Sequence, residues 1–489
     1  MTDMPAVPDS AHARPLPTSA SYGITVRLYA EPSAAVVGMI ATAVGAAGGL
    51  VTAIDVSESR ADRITIDVSC SAVNGEHATE IVAALRGVDG VTVHRVSDRT
   101  FLLHLGGKIS VESKVPLKTR DDLSMAYTPG VGRVSLALAA HPEDVAKLTV
   151  KGNAVAVVTD GSAVLGLGNI GPGAALPVME GKAALFKRFA NIDAWPICLD
   201  TQDTEEIVRI VKGISPGFGG INLEDISAPR CFEIEKRLRE ALDIPVFHDD
   251  QHGTAIVVLA ALTNALRCVA KSLPDVRIVI AGGGAAGTAI VTLLLAAGAK
   301  HVLVWDREGI LAPGDPRLTS AKRSLAGLTN PEGVTGDLHD ALAGANVFIG
   351  VSAPGVLPAP WITDMADHPI VFALANPDPE TDVDAAQHLA SVLATGRSDY
   401  PNQINNVLAF PGVFRGLLDA RAREVTTPML LSAAAALAEC VSDEQLNATY
   451  IVPSVFDPAV PTSVAAAVRA AATDGRTDDT AIDRIDTEA

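Results

Sequence analysis

Residues 277–306 read RIVIAGGGAAGTAIVTLLLAAGAKHVLVWD, and that stretch leaves few folds open to this chain. An apolar run ends in Gly282-x-Gly284-x-x-Gly287, an Ala/Leu-rich helical segment follows, and a second apolar run ends in Asp306. Strand, glycine turn, helix and strand in that order form a parallel βαβ unit, which needs an α/β sheet covered on both faces. The first glycine allows the tight turn, the second lets a pyrophosphate approach the backbone, and the third packs helix against strand. Ala285 and Ala286 complete the turn, so that the phosphates meet the amino end of the helix. An Asp at position 306 accepts hydrogen bonds from both ribose hydroxyls and repels a 2′-phosphate, which favours NAD. Arg307 beside it keeps NADP open.

A chain of 489 residues exceeds one ordinary core, so two or three domains are expected. NVFIGVSAPG and IVFALANPDPE supply later strands of the same parallel sheet, and PMLLSAAAALAECV and SVAAAVRAAA supply closing helices. The net charge of −19 argues against nucleic acid or an anionic membrane surface as the main partner. Five cysteines scattered without CxxC spacing suit reduced thiols in a cytoplasmic protein. The apolar run near 255–270 is interrupted by Asn264 and Arg267, so no membrane span is expected. The leader, 1–22, and the acidic tail, 474–489, have the composition of disordered segments.

Residues 23–98 form a separate module. GITVRLYA, a helix between Pro32 and Gly48, LVTAIDVSES, DRITIDVSC, a helix over Glu76 to Arg86 and VTVHRV give the order βαββαβ. That ferredoxin-like order resembles an ACT domain. The resemblance implies a small-molecule effector near Ala30-Glu31-Pro32, or a plain dimerisation module.

Two acidic pairs follow short apolar segments: Glu224-Asp225 after GGIN, and Asp249-Asp250 after IPVF. Side chains at the carboxyl ends of strands project into the ligand crevice of an α/β sheet, and hard divalent cations take oxygen ligands of this kind. The alternative is that the acids cap helices. Upstream, LGLGNIGPG is a tight backbone turn, Tyr127 precedes a Thr-Pro-Gly turn, and Lys182 begins a helix after Glu180-Gly181.

Read together, YTPGV at 127, LGLGNIGP at 165, EGKA at 180, NLEDI at 222, FHDDQHGTA at 247, the GxGxxG at 282, ANPDPE at 375 and INNVLAFPG at 404 stand in the order found in malic enzymes. The resemblance spans Lys108 to Asp457. It implies an α/β fold: a catalytic amino-terminal domain (99–253) and a Rossmann-type NAD-binding domain with closing helices (254–473), behind the ACT-like module. The activity implied is oxidative decarboxylation of (S)-malate to pyruvate with NAD and Mg2+ or Mn2+, by a homodimer or higher homo-oligomer.

Site roles follow from the same resemblance. Glu224, Asp225 and Asp250 hold the metal, Lys182 is the general base, Tyr127 the general acid, and Asn376 and Asn406 contact the substrate. Asp249 supports Lys182 or a metal-bound water, and burial beside a cation lowers the Lys182 pKa. His248 and His252 take packing or hydrogen-bond roles. Larger malic enzymes carry TDGERILGLG where this chain has TDGSAVLGLG, so Ala163 removes an arginine, and Ser162 or backbone amides must meet the C4 carboxylate. A malolactic reaction releasing lactate, and a non-catalytic dinucleotide sensor, are the competing readings.

Overall fold

The computed structural model describes residues 18–164 and 166–474, so nearly all of the expected leader and tail lies outside the described residues. The chain divides into two compact units, up to Lys108 and from Ile109 onward.

The first unit has the expected βαββαβ order: β1 (Ser19–Ala30), α1 (Val36–Ala46), β2 (Leu50–Ser59), β3 (Ile64–Ala72), α2 (Gly75–Arg86) and β4 (Val91–Asp98). Its antiparallel sheet runs β2-β3-β1-β4, the ferredoxin-like arrangement. Alternation along β1 sends Ile24, Val26 and Leu28 into a core with Ile40, Val44, Ile81 and Leu85 of the two helices. The opposite sheet face is polar, with Arg27 paired to Asp67 at 2.8 Å and Thr25 to Ser69 at 2.8 Å. The unit extends past the expected end at 98. A short helix, α3 (Arg99–His104), is capped by Asp98, and its Thr100 hydroxyl donates to the Ser21 carbonyl at 2.8 Å, which ties it to β1.

The second unit opens with α4 (Arg120–Ala126) and α5 (Gly130–Ala140), neither of which buries a side chain. A parallel sheet of four strands follows, in the order β6-β5-β7-β8: β5 (Ala154–Thr159), β6 (Asp193–Cys198), β7 (Gly220–Leu223) and β8 (Val246–His248). Between them run α6 (Pro172–Ala190), α7 (Thr204–Ile214) and α8 (Arg230–Ala241). After β8, residues Asp249–Gly253 form a π-type turn that leads into α9 (Thr254–Cys268).

The six-stranded sheet is ordered β11-β10-β9-β12-β13-β14, parallel apart from the short edge strand β11. Its strands are β9 (Arg277–Ala281), β10 (His301–Asp306), β11 (Gly309–Ile310), β12 (Val347–Gly350), β13 (Ile370–Ala373) and β14 (Val392–Thr395), with α10 (Ala285–Ala296) between β9 and β10. The helices α11 (Phe410–Ala420), α12 (Thr427–Glu439) and α13 (Ala459–Asp474) close the unit.

The expected boundary at 253/254 does not separate two cores. One apolar cluster takes in Val155 and Phe186 on one side, Ile278 and Ile349 on the other, and Phe410 and Phe414 of α11. The reason is α9, whose apolar residues are buried nearly all round and so pack toward both sheets. Phe414 meets Phe186 and Phe247 edge-on at centroid distances of 5.2 and 5.5 Å, and each such pair contributes about 1 kcal/mol beyond burial. Among the described residues no helix is long and apolar enough to cross a membrane.

Candidate active site

The acids stand where the strand pattern puts them. Glu224 and Asp225 follow β7, and Asp249 and Asp250 follow β8, the neighbouring strand in the same parallel sheet. Glu224, Asp225 and Asp250 each offer a carboxylate oxygen within 4.8 Å of the others, and His248 and His252 are not part of that set. Asp225 holds a left-handed backbone at φ 55°, uncommon outside Gly and Asn, and its amide donates to Asp250 Oδ2 at 2.9 Å. Three acids this close need a shared positive charge. Burial, together with Asp250, Asp249 and Asp225, pushes the Glu224 carboxyl well above the ordinary range despite Lys182. The donor set is all oxygen and all acidic, which suits Mg2+ or Mn2+.

Lys182 supplies a cation from the other side. Its ammonium lies 2.9 Å from Glu224 Oε1, contacts Asp249 Oδ2, and sits 4.1 Å from the centroid of the Phe410 ring. One expectation is corrected here. Lys182 lies in the middle of α6 and does not begin a helix, because the helix starts at Gly171-Pro172, where Gly171 takes φ 81° and Pro172 fits the first turn. Burial pulls its pKa down, and Asp249 and Glu224 more than offset burial while no cation shares them. Asp249 is fully buried, and burial raises its carboxyl even with Lys182 beside it. The Asn406 amide donates to the same Asp249 oxygen, while Asn405 caps the turn before α11.

The structure also places residues that the motifs left without roles. Asn222, wholly buried on β7, donates to Glu224 Oε2 at 2.8 Å, so both Glu224 oxygens are held. Its place two positions before Glu224 in NLEDI puts it on the same strand face, which was the available signal. Phe410 belongs to LAFPG, and nothing in the sequence placed its ring over Lys182. His252 bonds Glu235 at 2.7 Å, and burial lowers the pKa of His248, which keeps that ring neutral.

The Ser162 hydroxyl is not free for a substrate carboxylate. It donates to Asp160 Oδ1 at 2.5 Å and accepts from the Ser227 amide at 2.9 Å and from Arg230 at 3.0 Å. Arg230 also reaches Asp160 at 2.9 Å and the Gln202 carbonyl at 2.6 Å, and so fastens the turn after β5 to the start of α8.

The dinucleotide turn follows its motif. A Cβ on Gly287 would sit 1.8 Å from the Gly282 carbonyl oxygen, so only glycine lets α10 pack there. A Cβ on Gly284 would meet nothing within 4 Å, which leaves room for a pyrophosphate at the amino end of α10, opened by Ala285 and Ala286. Asp306 ends β10, as expected. Its carboxylate pairs with Lys322 at 2.8 Å and accepts from the Arg307 amide at 2.6 Å, and these bonds lower its pKa against the effect of burial. Lys322, also 3.0 Å from Glu308, was not legible in the sequence.

Asn376 comes to the catalytic side through its backbone: a Cβ on Gly166, which holds φ +75°, would lie 2.3 Å from the Asn376 carbonyl oxygen. Among the described residues no hydrogen bond or ring contact joins Tyr127 to Lys182. Tyr127 ends α4 with 68% of its surface exposed, and among the described contacts none joins its side chain to the acids.

The chain matches two family models along nearly all of its second unit: "Malic enzyme, N-terminal domain" over residues 106–239 and "Malic enzyme, NAD binding domain" over 251–473. The NAD-dependent malic enzyme of Geobacillus stearothermophilus is 56% identical over 457 residues, which cover 94% of this chain and 96% of that protein, so the match extends into the first unit. The bifunctional malic/malolactic enzyme of Bacillus subtilis is 51% identical over 75% of this chain and 90% of its own length. The crystal structure of an NAD-dependent malic enzyme from Thermotoga maritima superposes with a TM-score of 0.73 at 51% identity, covering 76% of this chain and 99% of that one. Carboxylates, buried lysine and glycine turn thus occupy a framework shared over most of the sequence, and the chain belongs to the malic enzyme family.

Proposed function

We propose that this chain catalyses the oxidative decarboxylation of (S)-malate to pyruvate and CO2 with reduction of NAD. The observation that carries the reading is the buried junction of Lys182, Glu224 and Asp249 beside the three-carboxylate set, together with the relative 56% identical over nearly the whole length. Glu224, Asp225 and Asp250 would hold a divalent cation, which when bound supplies polarisation of the C2 oxygen and charge stabilisation as CO2 leaves. With Glu224 engaged by that cation, Lys182 would lose one of the two charges that hold its proton, so that, positioned by Asp249 and the Phe410 ring, it could take the proton of the C2 hydroxyl. Asn406 and Asn376 donate to the substrate carboxylates, and Asn406 also anchors Asp249. NAD accepts the hydride, with Gly282, Gly284, Ala285, Ala286 and Gly287 around its phosphates and Asp306 at the adenosine ribose. Lys322 beside Asp306 offers a positive charge to a 2′-phosphate, so use of NADP is part of the test.

Tyr127 donates the proton to C3 of the enolate. Its exposure, and that of the apolar side chains around it, supports a homo-oligomer in which a second copy covers α4 and α5 and completes the site. Residues 99–253 and 254–473 act as the catalytic and dinucleotide-binding parts. The first unit is read as an ACT-like module that pairs with another copy or takes a small effector, and a cytoplasmic location belongs to the same reading.

Malate and Mn2+ are given to the purified chain with NAD, and separately with NADP, and the reduced nucleotide and pyruvate are followed. Equal amounts of the two products are expected. Lactate without net NADH favours the malolactic route, for which the Bacillus subtilis relative gives specific reason, and no turnover sinks both.

A further inference from the structure

The last residue of ANPDPE does a task that the catalytic roles above leave unassigned. Glu380 is fully buried, and its carboxylate joins two loops. Oε1 accepts the Ser352 amide at 2.9 Å, two residues past the end of β12, and Oε2 accepts the Ala375 amide at 2.9 Å, two residues past the end of β13. The Glu380 carbonyl accepts from the Leu357 amide at 2.8 Å and the Pro379 carbonyl from Gly355 at 3.2 Å, so the Ser352–Leu357 loop is held at both ends. Gly350, the last residue of β12, makes room for it: a Cβ there would lie 2.4 Å from Glu380 Cδ.

Strand β12 lies beside β9 and β13 beside β12 in the parallel sheet, and their carboxyl ends open on the crevice in which such sheets bind ligands. The glycine turn after β9 holds the phosphates, so these two loops are left to wall the nicotinamide end. Ala375 immediately precedes Asn376, the residue assigned to the substrate. One side chain therefore fixes the wall of the cofactor and the backbone of a substrate contact together.

The geometry also explains the residue type. Two backbone amides converge on one buried point, and a carboxylate offers an oxygen to each. Glutamine has a single oxygen and turns its own NH2 toward the second amide, which strands a buried donor. Burial raises the Glu380 carboxyl above its ordinary range, and the two loop amides oppose burial first, helped by its own amide and by the Ser352 hydroxyl at 3.5 Å.

We propose that Glu380 is a positioning residue for the nicotinamide half of the dinucleotide, clamping the Ser352 loop and the Asn376 loop into a single wall. The proposal rests on reading this crevice as the NAD site, and the test separates the two. Full-length wild type, Glu380→Gln and Glu380→Asp are compared for NAD affinity by calorimetric titration, for Mn2+ affinity without nucleotide by electron paramagnetic resonance, and for steady-state kinetics. In Glu380→Gln the dissociation constant for NAD and the KM for malate should each rise about tenfold, as expected from one stranded amide, while kcat at saturation and Mn2+ affinity stay near wild type. Glu380→Asp, which keeps both oxygens on a shorter arm, should show the same split at smaller size. Folded Glu380→Gln that binds NAD like wild type overturns the clamp. So does a parallel loss of Mn2+ affinity, which would mean general loosening, or failure of both variants to fold, which would make Glu380 a determinant of the fold alone. A wild-type chain without NAD affinity removes the reading of the crevice itself, and the clamp with it.

Discussion

Two parts of the second unit differ sharply in how they are held. Around Asn222 to Thr254 every assigned acid sits at a strand end, and Lys182, Asn406, Asn222 and Phe410 reach in from separate elements to fix Glu224 and Asp249. From Ile109 to Val150 the chain forms short helices, α4 closed by a Thr119–Asp122 capping box, that bury no side chain: Val111, Met125, Tyr127 and Leu136 are 78, 68, 68 and 74% exposed. Large apolar side chains left out in such numbers support the proposal that a second copy covers them. Lys182 and the three carboxylates are therefore organised by the core of one chain, whereas Tyr127, proposed as the acid, lies on an exposed surface.

The largest effect is expected on the organised side. Lys182→Ala should lower kcat for NADH formation by about a thousandfold or more, since it removes a general base and leaves Asp249 and Glu224 facing each other without a cation. Turnover within tenfold of wild type would show that Lys182 only neutralises the acids. Tyr127→Phe should lower pyruvate formation by about a hundredfold while leaving thermal stability unchanged, because an exposed ring buries little. Mixing the Lys182→Ala and Tyr127→Phe chains sharpens the contrast. If the acid comes from a second copy, mixed oligomers regain activity, and if each chain uses its own tyrosine they do not. Leu136→Asp, on the same open surface, should move the protein toward monomers in sedimentation and reduce turnover about tenfold without altering Mn2+ affinity.

How much of this the sequence shows depends on the same divide. The glycine turn, the strands that end in acids and the βαββαβ order were legible, because each rests on local periodicity or a short motif that one element satisfies by itself. The grouping of Glu224, Asp225 and Asp250 was legible for that reason too. Lys182 was found but set at the start of a helix, and only the fold shows Asp249 and Glu224 closing on it. Helix α6 was misplaced because Gly171, Pro172, Gly173 and Pro177 look like breakers, although the first two form the start of the helix. The boundary at 253/254 was drawn where motifs change, whereas α9 packs into a core shared by both sides. Lys322 beside Asp306, Phe410 over Lys182 and Arg230 on Ser162 are contacts between distant segments that no spacing announces.

The smallest effect should come from the cation itself, and it tests whether the acid centre is held against its own charge. Burial raises the carboxyls of Glu224 and Asp249 in the folded chain. A raised folded-state value means that protonation favours the fold: the contribution is full below the unfolded carboxylate range near pH ~4 and is lost as pH rises through the raised values. Carboxyls held low elsewhere, such as Asp193 and Glu235, act in the opposite sense, so the effect is read as a difference. Chain stripped of divalent metal should fall further below Mn2+-saturated chain in melting temperature as pH climbs from that range toward neutrality. Added Mn2+ should flatten the dependence, because a bound cation replaces the proton as the partner of the three acids. Leu136→Asp lies outside the acid centre and should leave the metal-linked slope unchanged. A gap between stripped and Mn2+-saturated chain that does not change with pH would mean that Lys182 alone already balances the acids.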